Sequence, residues 1–225
     1  MMAKLPSNIR TVDFGSNEWF KEESEKTQIY LHHNAGRGNG ERVFKFWDTD
    51  RQGRIATCIA ISSANDGGKD GEIIQGFSSK YWGYHLGLRE SHFKRNGLKY
   101  QNLNKISIGV EICSWGSLSY RDGKFISWAG AEVPKDQVDT LETPWRNILH
   151  FQKYSNAQID SVCALLPYWK ERYGIDITYK PEHFWEISKD ALSGKNGLYG
   201  HGAVRTDKSD VYPSEALISA LKKIS

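Results

Sequence analysis

Apolar, β-branched runs alternate along this chain with stretches of helical spacing, and that interleaving constrains the fold more than any other feature. Residues 28–32 (QIYLH) form a short strand-like run that ends in a polar loop rich in Gly and Asn. Residues 41–49 carry Val43, Phe44, Phe46 and Trp47, which predicts a short helix with an apolar face. Residues 54–62 (RIATCIAIS) read as a buried strand, 65–71 as a Gly- and Asp-rich turn, and 72–77 as the returning hairpin partner. Residues 106–113 (ISIGVEIC) form a further apolar strand that contains one carboxylate, Glu111.

The clearest helix opens at Ser155. Ser155 and Gln158 have capping-box spacing, and Ile159, Val162, Leu165, Leu166, Trp169 and Tyr173 then recur on one face. Gly174 ends it, as glycine often does just past a helix. A last helix is expected after Pro213, with Ala216, Leu217, Ala220, Leu221 and Ile224 as its buried stripe. Strands and helices in this order predict an α/β fold with a central mixed β-sheet flanked by helices. With 225 residues, 39% of them hydrophobic, and neither repeat nor low-complexity linker, residues 1–225 read as a single domain. Residues 116–150 mix Gly, Asp, Trp and Pro without a clear period and are read as an elaborated surface segment.

Charge and cysteine content exclude several classes. Thirty Lys and Arg against 27 Asp and Glu give a net charge of +3, too mild for a nucleic-acid partner. Cys58, Cys113 and Cys163 are odd in number and widely spaced, so neither a cysteine zinc site nor a disulfide framework is indicated. The opening stretch, MMAKLPSNIRTVDFGSNEWF, lacks an apolar segment resembling a signal peptide. No run is long enough for membrane insertion. We therefore expect synthesis in the cytoplasm and a monomeric state.

Candidate chemistry lies in a few polar residues beside these strands. His32 and His33 directly follow an apolar strand, and His201 lies in a turn-like GLYGHGAV segment nine residues before Asp210. Two imidazoles, a carboxylate and a water make an open tetrahedral zinc site. On residue types alone, histidines so far apart in sequence are usually unrelated, and a lone His in a turn is more often a surface residue or a local hydrogen bonder. Glu111 inside an apolar strand costs several kcal/mol to bury unpaired, so it should face a polar site or a cation; an edge-strand position facing solvent is the alternative.

The surrounding strings resemble type 2 N-acetylmuramoyl-L-alanine amidases, a family that includes phage lysozyme-type amidases, muropeptide-recycling amidases and peptidoglycan recognition proteins. IYLHHNAG at 29–36 is similar to the family's strand-then-His-His opening, KDGEIIQGF at 69–77 to its Asp-Gly-x-Ile-x-Gln hairpin, and YWGYHLG at 81–87 to its Trp-His-Ala-Gly segment. SIGVEI at 107–112, YSNAQIDSVCALL at 154–166 and GHGAVRTDKSD at 200–210 continue the match in family order. The resemblance implies a peptidoglycan recognition protein-like fold, with His32, His201 and Asp210 as zinc ligands. It implies that Glu111 helps activate the attacking water and that Lys208 faces the developing oxyanion. His33 is expected outside the ligand set, and His85 is a candidate for substrate contact at the cleft rim. Cys58 stands where members often carry His, and Thr57 where some carry a catalytic Tyr, so this strand lacks both polar rings. Asp-Val-Tyr-Pro replaces the usual Asp-Pro-Gly after the last ligand. Short members have no counterpart of 116–150, which is a candidate to shape the substrate cleft.

The implied activity is zinc-dependent hydrolysis of the amide between N-acetylmuramic acid and L-alanine. The implied partners are peptidoglycan or muropeptides. A phage-type endolysin, acting on the wall after release, is the expected role. A cytosolic recycling amidase is the close alternative, and a non-catalytic peptidoglycan-binding module is the rival of another class.

Overall fold

The computed structural model describes residues 5–51 and 53–225. The first four residues of the stretch read above for a leader lie outside them. Among the described residues no helix is long and apolar enough to cross a membrane.

The strands, in chain order, are β1 (Ile9–Thr11), β2 (Gln28–His33), β3 (Ile59–Ile61), β4 (Ile73–Gln75), β5 (Ser107–Ile112), β6 (Ser117–Arg121), β7 (Lys124–Ser127), β8 (Glu132–Val133), β9 (Val138–Trp145), β10 (Ile148–Gln152) and β11 (Gly197–Gly200). Six of them make the central sheet in the order β1-β4-β3-β5-β2-β11. β3 and β4 pair antiparallel as the expected hairpin, while the other neighbours run parallel, so the sheet is mixed. The helices are α1 (Gly40–Thr49), α2 (Glu90–Arg95), α3 (Leu103–Ile106), α4 (Asn156–Tyr173), α5 (Lys189–Leu192) and α6 (Glu215–Ile224). The α/β class with helices flanking a mixed sheet is therefore the observed one.

The period of two along β2 and β5 separates core from site. Ile29 and Leu31 of β2, with Ile108, Val110 and Ile112 of β5, point into the main core with Phe44, Leu165, Leu166 and Trp169. Tyr30 points to the opposite face, into a second cluster with Leu86, Phe93, Leu103 and Tyr199. By the same alternation, Ser107, Gly109 and Glu111 of β5 share the face of Tyr30 and His32. The string SIGVEI is thus two strings interleaved, an apolar one for the core and a small or polar one for the site.

α4 begins as expected: Ser155 Oγ accepts from Gln158 N, and the Gln158 side chain returns to the Ser155 backbone. Its apolar face is buried, each such side chain contributing about 1.5–3 kcal/mol relative to exposure, and Gly174 closes it at φ 68°.

Several local expectations need correction. Only residues 59–61 of the stretch 54–62 are strand, because the backbone of 54–56 bonds instead to Tyr84, outside the sheet. Phe46 of α1 is 62% exposed rather than on the buried face. The buried stripe of α6 is Leu217 and Leu221, while Ala216 is exposed. The first four residues of GLYGHGAV form β11, since pairing with β2 fixes them as strand. The elaborated segment 116–150 carries regular structure that its lack of a clear period did not predict: β6 to β10 form a five-stranded antiparallel sheet in the order β8-β7-β6-β10-β9. Leu118, Phe125, Val133 and Val138 make its small core.

Candidate metal centre

Two parallel neighbours and one loop bring the candidate ligands together. His32 lies near the end of β2, His201 follows β11, and Asp210 closes the loop after it. His32 Nδ1 lies 3.0 Å from His201 Nδ1 and 3.1 Å from Asp210 Oδ2, and His201 Nδ1 lies 2.8 Å from the same oxygen. All three side chains are buried. Three residues separated by up to 178 positions thus present ligand atoms to one point.

The outer hydrogen bonds fix which atoms carry protons. His201 Nε2 meets the Leu86 carbonyl at 3.0 Å, and a carbonyl only accepts, so Nε2 carries a hydrogen and the neutral ring keeps its lone pair on Nδ1. Ser107 Oγ donates to the Leu103 carbonyl at 2.7 Å, which leaves it to accept from His85 Nε2 at 2.9 Å. His85 Nδ1 then accepts from His32 Nε2 at 3.0 Å, and His32 Nδ1 is also a lone pair. Burial, with His201 close by, lowers the His32 pKa to about 4, so its ring is neutral at pH 7.

Two lone pairs and a carboxylate within 3.1 Å of one another repel unless a cation sits among them. Neutral imidazoles with their outer N–H groups held, plus one carboxylate, fit the donor set of a divalent zinc ion with an open position.

The other singled-out residues surround this point. Glu111 is buried on the central strand β5, directly paired in register with His32, and not on an edge. Its Oε2 has no hydrogen-bond partner among the described residues. Burial pushes its pKa up to about 8, with Asp210 adding and Lys208 opposing. Lys208 lines the same cleft, on the loop between His201 and Asp210. His33 points away from the ligands and meets Tyr154 Oη at 2.9 Å. His85 also lines the cleft, but both its ring nitrogens are engaged behind His32, so the geometry gives it an orienting place. Gly109 makes room for it: a Cβ there would sit 2.6 Å from Thr57 Cγ2 and 3.0 Å from the His85 ring. Thr57 is likewise in the cleft wall, whereas Cys58 turns its thiol to the Gly109 carbonyl.

Two residues at the site escaped the sequence reading. Arg146, at the β9–β10 turn, donates to the carbonyls of Arg205 (2.7 Å), Gly202 (2.8 Å) and Lys208, tying down the loop that carries Lys208 and leads to Asp210. It does so from a left-handed backbone conformation, φ 53°, that a non-glycine residue adopts at a cost of about 1–3 kcal/mol. Nothing in the string Trp-Arg-Asn-Ile signals this role. We expect Arg146→Ala to weaken zinc binding by about 10–100-fold, the range for supporting contacts around a metal. Arg146→Lys should recover little, because one ammonium cannot span three carbonyls. Competition against a chromogenic chelator measures both, and an unchanged affinity in Arg146→Ala would exclude the clamp.

Lys26 is the second. It is 1% exposed, and its Nζ donates to the carbonyls of Lys105 (2.8 Å) and Ser107 (3.2 Å). Burial lowers its pKa to about 8. The unfolded chain binds this proton up to pH ~10.5, so folding is favoured progressively as pH rises from 8. Wild type should therefore gain stability relative to Lys26→Met between pH 8 and 10, by roughly a few kcal/mol. Parallel denaturant melts at the two pH values check this; a constant difference would show that Lys26 titrates normally.

The ligands, Glu111 and Lys208 open into one cleft of about 720 Å³, whose wall includes Arg37, Phe46 and Trp128. A family model described as N-acetylmuramoyl-L-alanine amidase matches residues 23–213. Among solved structures, the fold is similar to that of N-acetylmuramoyl-L-alanine amidase LysC from Clostridium intestinale URNW, at 15% identity and TM-score 0.52, over 97% of each chain. It is similar also to the structure of PlyL (13%, TM-score 0.52, covering 96% of this chain and 98% of that one). A selenomethionine derivative of AmpD matches at 15% identity and TM-score 0.50, over 99% of this chain and 98% of that one. No curated protein sequence matches this chain.

Proposed function

Because the chain belongs to the N-acetylmuramoyl-L-alanine amidase family, we propose that it is a zinc hydrolase that cuts the lactyl amide between N-acetylmuramic acid and L-alanine in peptidoglycan. The convergence of His32 Nδ1, His201 Nδ1 and Asp210 Oδ2 carries this reading. Zinc bound there would polarise the scissile carbonyl and bring the pKa of a water toward ~7.

The chain's own residues supply the rest. Glu111 offers a carboxylate oxygen without a hydrogen-bond partner among the described residues, facing the same cleft as the ligands. It takes a proton from the attacking water as the new C–O bond forms, then gives it to the α-amine of alanine as the C–N bond breaks. The Lys208 ammonium steadies the negative charge that develops on the carbonyl oxygen. His85 and Ser107 keep His32 in the tautomer that presents Nδ1. Arg146 holds the loop that places Lys208. A binding module without turnover would have no use for this complete set, which is why we favour an enzyme.

Of the cellular roles, we favour lysis of the wall, as in an endolysin, over recycling of soluble fragments. Phe46, Tyr84 and Trp128 line the cleft as exposed aromatic rings, a stacking surface for successive sugars of a strand. Digestion of purified sacculi with and without a chelator, followed by mass spectrometry, tests the chemistry. Free stem peptides beginning with alanine, lost on chelation and restored by zinc, are expected. Protein that binds sacculi and releases nothing would make it a binding module. Faster cleavage of soluble anhydro-muropeptides than of sacculi would favour recycling.

A further inference from the structure

The five-stranded sheet carries a second cavity of about 590 Å³, lined by residues of β6, β7 and β10, that adjoins the metal-bearing cleft. Trp128 lines both. Its indole is 74% exposed, an unusual position for a large aromatic ring, yet it is held in place: Nε1 donates to the Ala35 carbonyl at 2.6 Å. Ala35 lies three residues beyond the ligand His32. The ring is therefore fixed between the two cavities with its apolar surface open.

The remaining lining is mixed, with Leu118, Ile126, Ile148 and Leu149 interspersed among polar side chains. Ser117, Ser119 and Asn147 offer hydroxyl and amide groups, and Arg121 has no carboxylate partner among the described residues. An apolar platform flanked by hydroxyls, an amide and a free guanidinium fits a sugar that carries an acid group. Pyranose rings stack their C–H faces on indole, and their hydroxyl and acetamido groups need hydrogen-bond partners. Hydrolysis of a lactyl amide leaves a new carboxylate on each muramic acid, which a guanidinium binds in bidentate fashion.

We propose that this cavity is a glycan subsite that holds the already peptide-free part of a peptidoglycan strand, with Trp128 stacking on a sugar ring and Arg121 pairing with a lactyl carboxylate. The inference rests on the amidase reading above for its ligand. In this role the five-stranded sheet keeps the enzyme on a strand whose neighbouring peptides have been removed.

Calorimetric titration of the zinc-loaded full chain tests the subsite with two ligands: peptide-free glycan strands, which contain no bond for the enzyme to cut, and chitotetraose, which lacks the carboxylate. Wild type should bind the strands. Trp128→Ala should weaken binding of both ligands by tenfold or more. Arg121→Ala should weaken strand binding about fivefold and leave chitotetraose unaffected. Both side chains are exposed, so both variants should fold, and circular dichroism verifies it. Affinities within twofold of wild type in both variants would overturn the subsite, as would wild type failing to bind the strands. Peptide release from a soluble muropeptide, recorded in parallel, keeps the two readings apart. Release together with unaltered glycan binding in the variants rejects only the subsite. Glycan binding that depends on Trp128 and Arg121, without release by wild type, supports the subsite and rejects the amidase.

Discussion

Asp210→Ala is expected to lose peptidoglycan hydrolysis by about 10³-fold or more. Lewis-acid stabilisation by a metal contributes several kcal/mol, and each ~1.4 kcal/mol is a factor of ten in rate. Asp210 is the one anionic member of the ligand set, and without it His32 and His201 face each other as two neutral lone pairs 3.0 Å apart. Zinc should then bind too weakly to be retained. Thermal melts provide a readout independent of activity. At zinc about 1,000-fold above its Kd, wild type should gain roughly 4 kcal/mol over the chelated protein, and the variant little. Asp210→Cys, which restores an anionic ligand that zinc accepts, should regain much of that gain. An alanine variant with wild-type turnover would remove Asp210 from the centre and with it the proposed mechanism.

Glu111→Gln should lower kcat by about 10²–10⁴-fold, the range for a general acid–base group, while zinc affinity stays close to that of wild type. The amide fills the same space on β5 but cannot accept the proton of the attacking water. Loss of zinc affinity in parallel with kcat would instead make Glu111 a structural support of the site.

The same substitution has a consequence for the metal-free protein. Burial raises the Glu111 pKa from 4.5 to about 8, so the folded chain holds a proton that the unfolded chain releases. Stability from this proton is fully present below pH ~4.5 and is lost as pH rises through 8. Glu111→Gln does not titrate. In chelator it should therefore become more stable than wild type at pH 8.5 by roughly a few kcal/mol, relative to their difference at pH 4.5. Zinc should shrink this gap, because a nearby cation favours the carboxylate. Denaturant melts at the two pH values, with and without zinc, decide it. A gap independent of pH would show that Glu111 ionises normally.

Much of the scaffold is legible in the sequence because it depends on local rules. The capping box at Ser155 and Gln158, the glycine at 174 and the apolar face between them specify α4 without reference to the rest of the chain. The alternation in SIGVEI specifies β5 and puts Glu111 on the side opposite the core residues Ile108, Val110 and Ile112. The region 116–150 was legible only in part. Its first hairpin turns at Asp122–Gly123, a pair with the left-handed conformations that such a turn requires, and the signal is present in the sequence. Its last hairpin turns at Arg146–Asn147, where the left-handed backbone falls on an arginine that does not favour it and is secured by carbonyls from a distant loop.

The sequence by itself therefore determined most of the elements, the mixed α/β class and, through ordered motifs, the candidate ligands His32, His201 and Asp210. Only the tertiary structure decided that their donor atoms meet within 3.1 Å, that Glu111 is buried on a central strand, and that His85 stands behind His32. It alone decided that Arg146 ties the five-stranded sheet to the ligand loop and that Trp128 stands between two cavities. The physical reason is range. Capping, turn chemistry and strand alternation act over a few residues and leave a local imprint, whereas a ligand set, a buried charge or a shared cavity wall exists only once the chain has brought distant residues together.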